Sequence, residues 1–155
     1  MKNRNRGFGG LQFVLVFAII GVAATFAVPE YKSYMTKAKL TEAFNLAGES
    51  KRKLSEFYML NGRLPGTQNE AELMITSTVA PPEYVRDMVV KPADSKGRFT
   101  IRVYLKEGVI ENPVAGEDQF IYVEAQAAGN GSYALTWSCG GGGLEPDLLP
   151  EDCEG

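Results

Sequence analysis

Histidine is absent from this 155-residue chain, and there are only 2 cysteines and 1 tryptophan. Without an imidazole, the usual general base at neutral pH is missing, and most nucleophile–base pairings go with it. Two cysteines and no histidine cannot supply a soft-metal cluster. The residues therefore predict no catalytic group, no metal site and no cofactor. Positive charge is also short: 16 Lys and Arg stand against 19 Asp and Glu, for a net charge of -3. That balance argues against a general nucleic-acid surface, while leaving room for a local basic patch. The one such cluster, Lys51-Arg52-Lys53, reads as a solvated helix face or an intersubunit salt-bridge surface, with DNA contact as the sharper alternative. No internal repeat is visible. The single low-complexity run, Gly140–Gly143, reads as a flexible loop. A phosphate cradle would need a strand-to-helix context and a following Lys-Ser/Thr, and both are missing. Glu145, Asp147, Glu151 and Asp152 are too irregularly spaced for a calcium loop and read as solvated.

What the chain does have is an almost unbroken apolar run from Phe8 to Val28, behind a basic leader carrying Lys2, Arg4 and Arg6. Only Gln12 and Thr25 place polar side chains in it. As a helix, the run would be about 30 Å long, close to the thickness of a bilayer's hydrocarbon core. A cleaved secretory signal is the plain reading of such a start, but the run is long for one, and helix-compatible sequence continues past its end. Beyond Pro29, apolar residues recur at helical spacing as Leu40, Phe44, Ala47, Leu54, Phe57 and Tyr58. This periodicity predicts one long helix, apolar all round in its first half and amphipathic in its second. Pro29 would kink it rather than end it, because proline removes one donor and crowds the preceding turn. Tyr31, Tyr34, Phe44, Phe57 and Tyr58 invite an electron-transfer reading, but aromatics at helical spacing are mostly packing residues.

The helix should stop at Asn61-Gly62, before Pro65. Residues 62–97 read as a connecting segment with a short helix at Asn69–Ile75, and Ala80-Pro81-Pro82 and Lys91-Pro92 force turns in it. Alternation predicts strands at Arg98–Leu105, Val109-Ile110, Gln119–Ala125 and Ser132–Ser138, with Gly129-Asn130-Gly131 as a hairpin signal between the last two. Such a sheet has one apolar face, and the amphipathic half of the helix is its natural cover. The fold class is thus α+β: a long N-terminal helix whose hydrophobic half protrudes and whose amphipathic half packs on a four-stranded antiparallel sheet.

Gly7-Phe8 after basic residues, Val16-Phe17-Ala18-Ile19-Ile20-Gly21-Val22-Ala23-Ala24, and Val28-Pro29-Glu30-Tyr31-Lys32-Ser33-Tyr34 with Lys37-Ala38-Lys39 together resemble the N-terminal signature of type IV pilins and pseudopilins. Glu42–Gly48, Ser55–Tyr58 and Asn61-Gly62-Arg63-Leu64-Pro65 resemble the lower helix and the turn after it. Trp137-Ser138-Cys139 and Leu149-Pro150-Glu151-Asp152-Cys153 resemble the disulfide-closed C-terminal region of type IVa pilins. The resemblance implies cleavage by a prepilin peptidase between Gly7 and Phe8, N-methylation of Phe8, and a retained helix that polymerises. It implies a Cys139–Cys153 disulfide, which is also the simplest reading of two cysteines in an exported chain, free thiols being the alternative. Its organisation would be leader 1–7, hydrophobic membrane and filament-core helix 8–28, amphipathic helix 29–61, connecting loop 62–97, sheet 98–138 and disulfide-bounded region 139–155.

The function so implied is structural: a subunit of a type IV pilus serving adhesion, motility or DNA uptake. The alternatives are a pseudopilin of a type II secretion system, a minor or initiating pilin, and a monomeric membrane-anchored binding module. The implied partners are other copies of the chain, the prepilin peptidase, the inner-membrane assembly machinery, the membrane before assembly, and a host surface or DNA. The subunit would pass from the inner membrane to an extracellular pilus. The assembly residues would be Phe8, Gln12, Gly21 and Pro29. One of them departs from the family pattern: Gln12 stands where a glutamate is expected, so an ion pair to a neighbour's N-terminal amine is given up while a hydrogen bond remains available.

Overall fold

A computed structural model describes residues 9–75, 82–110, 113, 116–128, 134–150 and 153, without the side chains of 11 and 26–30. The chain separates into two units, Met1–Met35 and Thr36–Gly155. Its first element, α1, is a single helix over Gly10–Asn61, so Pro29 does not end it. In the first unit every described side chain from Gln12 to Thr25 is exposed. Among the described residues no helix is long and apolar enough to cross a membrane. The stretch Gln12–Thr25 is shorter than the apolar run read from Phe8 to Val28.

In the second unit α1 buries a stripe made of Thr36, Leu40, Ala43, Ala47, Ser50, Leu54 and Tyr58. The steps of three and four residues keep these positions on one face of a 3.6-residue helix. Two members are polar. The buried Ser50 hydroxyl is satisfied by donating to the Leu46 carbonyl at 2.9 Å and contacting the Met88 sulfur at 3.5 Å. The helix stops as expected. Gly62 takes φ 67°, a left-handed conformation that favours glycine, and its N–H bonds the Tyr58 carbonyl at 2.8 Å. A second helix, α2, spans Gln68–Ile75. The Thr67 hydroxyl accepts the Glu70 N–H at 3.3 Å and caps it.

The sheet is antiparallel with order β1-β2-β3-β4: β1 Val85–Lys91, β2 Arg98–Leu105, β3 Phe120–Ala127 and β4 Leu135–Gly142. Its inner face, built from Val85, Val90, Phe99, Ile101, Val103, Leu105, Ile121, Val123 and Ala125, forms one core with the α1 stripe and with Ala71 and Ile75 of α2. Strands β2 and β3 lie where alternation puts them. The strand expected at Ser132–Ser138 overlaps β4 from Leu135 onward, and the remaining one corrects the sequence reading. Val109-Ile110 is not a strand; both residues are buried in a bend after Gly108. The missing strand is β1, inside the segment read as a connector. A bulge between Val85 and Asp87 shifts its apolar residues to 85, 88 and 90, which destroys the period of two that would have revealed it. The hairpin signal at 129–131 lies outside the described residues.

The glycine run is the second correction. Gly140, Gly141 and Gly142 are not a loop but the end of β4, paired with Tyr122, Ile121 and Phe120. A Cβ on Gly140 would come within 2.7 Å of the Tyr122 hydroxyl, and one on Gly142 would collide with the Phe120 ring. Aromatic rings occupy the space that side chains would take, so glycine is required here despite its low strand propensity. Gly143 then turns the chain at φ 63°, where a Cβ would sit 2.8 Å from the Asp118 carbonyl oxygen. Gly48, on the exposed side of α1, has nothing within 4 Å of a Cβ. Gly143→Ala is expected to destabilise by about 1–3 kcal/mol, whereas Gly48→Ala should stabilise by up to about 1 kcal/mol. Urea denaturation of the two variants checks the opposite signs, and equal signs would refute the packing argument.

Candidate assembly surface and disulfide-closed region

The N-terminal part of α1 offers apolar surface and little else. Phe17 is 69% exposed, Ile19 63% and Val22 62%. Isolated surface Leu or Phe residues are ordinary, but a contiguous stretch of large apolar side chains at such exposure marks a surface that is buried elsewhere. The Gln12 backbone N–H donates to the Gly9 carbonyl at 2.7 Å, opening the helix, and the Gln12 side chain is exposed among the apolar ones. A Cβ on Gly21 would meet nothing within 4 Å, so nothing packed inside the chain requires glycine there. Its smallness leaves room for close approach from outside. The Thr25 hydroxyl donates back to the Val22 carbonyl at 2.7 Å, which hides a polar group within an apolar surface. Pro29, four residues later, offers no N–H to the Thr25 carbonyl. Gly7 and Phe8, the expected processing site, lie outside the described residues.

Cys139 and Cys153 form a disulfide, with Cα atoms 4.7 Å apart and a sequence separation of 14. Cys139 sits on β4 opposite Val123, so the bridge anchors the C-terminal segment to the sheet. Within that segment Pro146–Leu148 makes a 3-10 turn, and the Leu149 N–H bonds the Pro146 carbonyl at 2.9 Å. Leu144, Leu148 and Leu149 pack against the core. Leu148, Leu149 and Pro150 face Lys37, Leu40, Thr41 and Phe44 of α1 across an open groove of about 330 Å³. Glu145 and Asp147 are exposed, as a solvated loop requires. Glu151 and Asp152 lie outside the described residues. Among the described residues no group of His, Cys, Asp and Glu is placed to hold a metal ion.

The basic triplet on α1 is largely engaged within its own unit. The Lys51 ammonium lies over the Trp137 ring at 4.8 Å from its centroid, and Lys53 Nζ donates to the Ile75 carbonyl at 3.3 Å. Only Arg52 of the three is exposed, so the cluster does not form a continuous basic surface.

Two carboxylates lock turns. Glu70 accepts a two-pronged bond from Arg63 (2.6 and 2.9 Å) and another from the Gly66 N–H at 3.1 Å. Asp94 accepts from the Lys96 and Arg98 backbone N–H groups at 2.8 and 2.9 Å and from the Arg98 guanidinium at 2.8 and 3.0 Å. Arg63 above all, then Gly66, holds the Glu70 carboxyl below the usual carboxylate range. The Arg98 N–H leads in lowering that of Asp94. Groups lowered on folding add stability that is present above the unfolded-state pKa, about 4 for these side chains, and is lost as pH falls through the folded value. The thermal midpoint should therefore hold from neutral pH to about pH 5 and drop below about pH 4. In a Glu70→Gln/Asp94→Asn variant the drop should be shallower. An unchanged acid profile would place the acid sensitivity in other groups.

Residues 36–154 match the pattern of the family described as pilin (bacterial filament). The chain is 31% identical over 153 residues to "Fimbrial protein EcpC" of Eikenella corrodens, covering 99% of this chain and 93% of that protein. It is 28% identical over 140 residues to "Type IV major pilin protein PilE1" of Neisseria gonorrhoeae, covering 90% of this chain and 78% of that protein. A "Fimbrial protein" of Neisseria meningitidis is likewise 28% identical over 140 residues, covering 90% of this chain and 75% of its own length.

Proposed function

Because the chain belongs to the pilin family, whose members are structural subunits and not enzymes, we propose that its leader, residues 1–7, is removed by a prepilin peptidase between Gly7 and Phe8. The family places the mature protein in an extracellular pilus made by self-polymerisation. Before that, in this reading, the apolar run holds the subunit in the inner membrane, where it meets the peptidase and the assembly machinery. Phe8, the new N-terminus, is then the residue to be methylated. The observation that carries the reading is the exposed apolar surface from Gln12 to Thr25, which needs lipid or neighbouring helices around it. Burying one large apolar side chain is worth about 1.5–3 kcal/mol. Moving such a surface from lipid to a helical bundle changes little in apolar terms, so an energy-driven machine can run the transfer. Gly21 lets helices approach, and Pro29 weakens one backbone turn without ending the helix.

The test is direct. Membranes containing the full chain are treated with a prepilin peptidase, and mass spectrometry reads the product. The expected result is loss of residues 1–7 and an N-terminal Phe8; an uncut chain rules the proposal out. Gln12 favours one refinement, a minor or initiating subunit whose first turn does without an ion pair. A dominant band of this chain in sheared filaments would sink that refinement and leave the major-subunit reading. The disulfide-closed C-terminal region favours a pilus subunit over a secretion pseudopilin.

A further inference from the structure

The outer face of the sheet, away from the core, is not uniformly polar. Across the middle strands Tyr104 stands opposite Phe120 and Arg102 opposite Tyr122, so these four side chains occupy the corners of a square. All four are half-buried. The rings of Tyr104 and Phe120 have centroids 5.3 Å apart, and those of Phe120 and Tyr122 are 6.5 Å apart. The Arg102 guanidinium crosses the diagonal and lies 5.0 Å from the Phe120 centroid. On the β4 side the aromatic rings run over Gly140 and Gly142, so no β4 side chain rises above them at those two positions.

The charges around this square are unequal. Arg86 is paired with Asp118 at 2.9 Å and also lies 5.3 Å from the Tyr104 ring centroid, and Arg98 is paired with Asp94 at 2.8 Å and Glu124 at 3.7 Å. Arg102 has no carboxylate and no hydrogen-bond partner among the described residues, and its Nε is buried with no acceptor. The phenol groups of Tyr104 and Tyr122 also lack a hydrogen-bond partner among the described residues. Nε is sealed off, so the two Nη groups are the part of the guanidinium left for recognition. A fork of two N–H donors matches a carboxylate. Aromatic rings present electron-rich faces to weakly positive C–H groups. A mostly apolar bed with a few unmatched polar groups is the usual composition of a small-ligand site.

From this we propose that Arg102 and Tyr122, flanked by Phe120 and Tyr104, bind an acidic sugar unit: the pyranose ring rests on the Tyr122 ring and its carboxylate sits on the Nη groups of Arg102. This goes beyond filament membership and does not depend on how the leader is processed. A nucleic acid fits less well. A phosphate chain needs several cations in a row, whereas on this face one arginine is without a carboxylate among the described residues, beside Asp87, Asp118 and Glu124. An extended peptide would add to a sheet edge, not to this face.

The test uses the detergent-solubilised full chain and saturation-transfer NMR with sialyllactose, a hyaluronan tetrasaccharide and trigalacturonate. Lactose is the neutral comparison and oligothymidylate the polyanion. At least one acidic sugar should bind with transfer from aromatic protons, and lactose should bind more weakly than sialyllactose. Arg102→Gln and Tyr122→Leu should each weaken binding about tenfold or more. Arg102→Lys, which keeps the charge and loses the fork, should fall between. Arg98→Gln, at a paired arginine, should leave binding unchanged. Circular dichroism confirms that the variants fold. Absence of binding by all three acidic sugars at millimolar concentration would overturn the proposal. So would binding insensitive to Arg102→Gln, or oligothymidylate binding more tightly than every sugar.

Discussion

Replacing Cys139 and Cys153 together with serine should lower stability by about 3 kcal/mol and the thermal midpoint by about 10 °C. The bridge closes a loop over 14 residues, and most of its effect in the chain-entropy account comes from restricting the unfolded state. The native state supplies a second contribution. Cys153 is buried at 6% exposure, and Leu144, Leu148 and Leu149 between the cysteines pack against the core. Without the bridge this segment must hold its place through those contacts alone. Glycines 140–143 at its base resist disorder poorly, since glycine loses the most backbone freedom on folding. Reduction of the unmodified protein should reproduce the shift in a circular-dichroism melt. A midpoint within about 3 °C of the oxidised protein would mean that the apolar contacts suffice and the disulfide is dispensable to the fold.

Phe99→Ala should be more damaging still, at about 3–5 kcal/mol. Phe99 is 0% exposed and is among the largest fully buried side chains. It stands on β2 opposite Ala125 of β3, where a small neighbour leaves the ring to fill the space beneath the helix. Truncation removes the transfer free energy of the ring and leaves a cavity that flanking strands, fixed by their hydrogen bonds, cannot close. A loss of that size takes a large part of a typical total stability of about 5–15 kcal/mol. In urea the midpoint should fall with an unchanged slope. Leu60→Ala, at 79% exposure, is the control and should stay within about 0.5 kcal/mol. Comparable effects at the two positions would remove Phe99 from the centre of the core.

These two predictions rest on different parts of the sequence signal. Phe99 was legible, because β2 alternates Phe99, Ile101, Val103 and Leu105 against polar neighbours and such a pattern needs no knowledge of its partners. Strand β1 was not, because its bulge breaks the alternation, and only pairing with β2 restores Val90 and Met88 to the inner face. The glycines of β4 were misread for the opposite reason. Their local preference points away from a strand, and the rings of Phe120 and Tyr122 that justify them lie on another strand. The long apolar run was legible through composition and spacing, whereas the square at Tyr104, Arg102, Phe120 and Tyr122 was invisible. Its members look like the polar half of ordinary strands until the register sets them side by side.

By itself, the sequence determined what depends on neighbours along the chain: the apolar run, the buried stripe of α1, its stop at Gly62, the short helix before Ile75, β2 and most of β3. It also allowed only one intrachain pairing for its two cysteines. The tertiary structure alone decided which segment became the first strand, why the last strand runs on through consecutive glycines, and which arginine on the outer face is left without a carboxylate among the described residues. Helix signals close within a turn or two, so they are written locally. Strand pairing joins residues tens of positions apart, and its register decides which side chains meet.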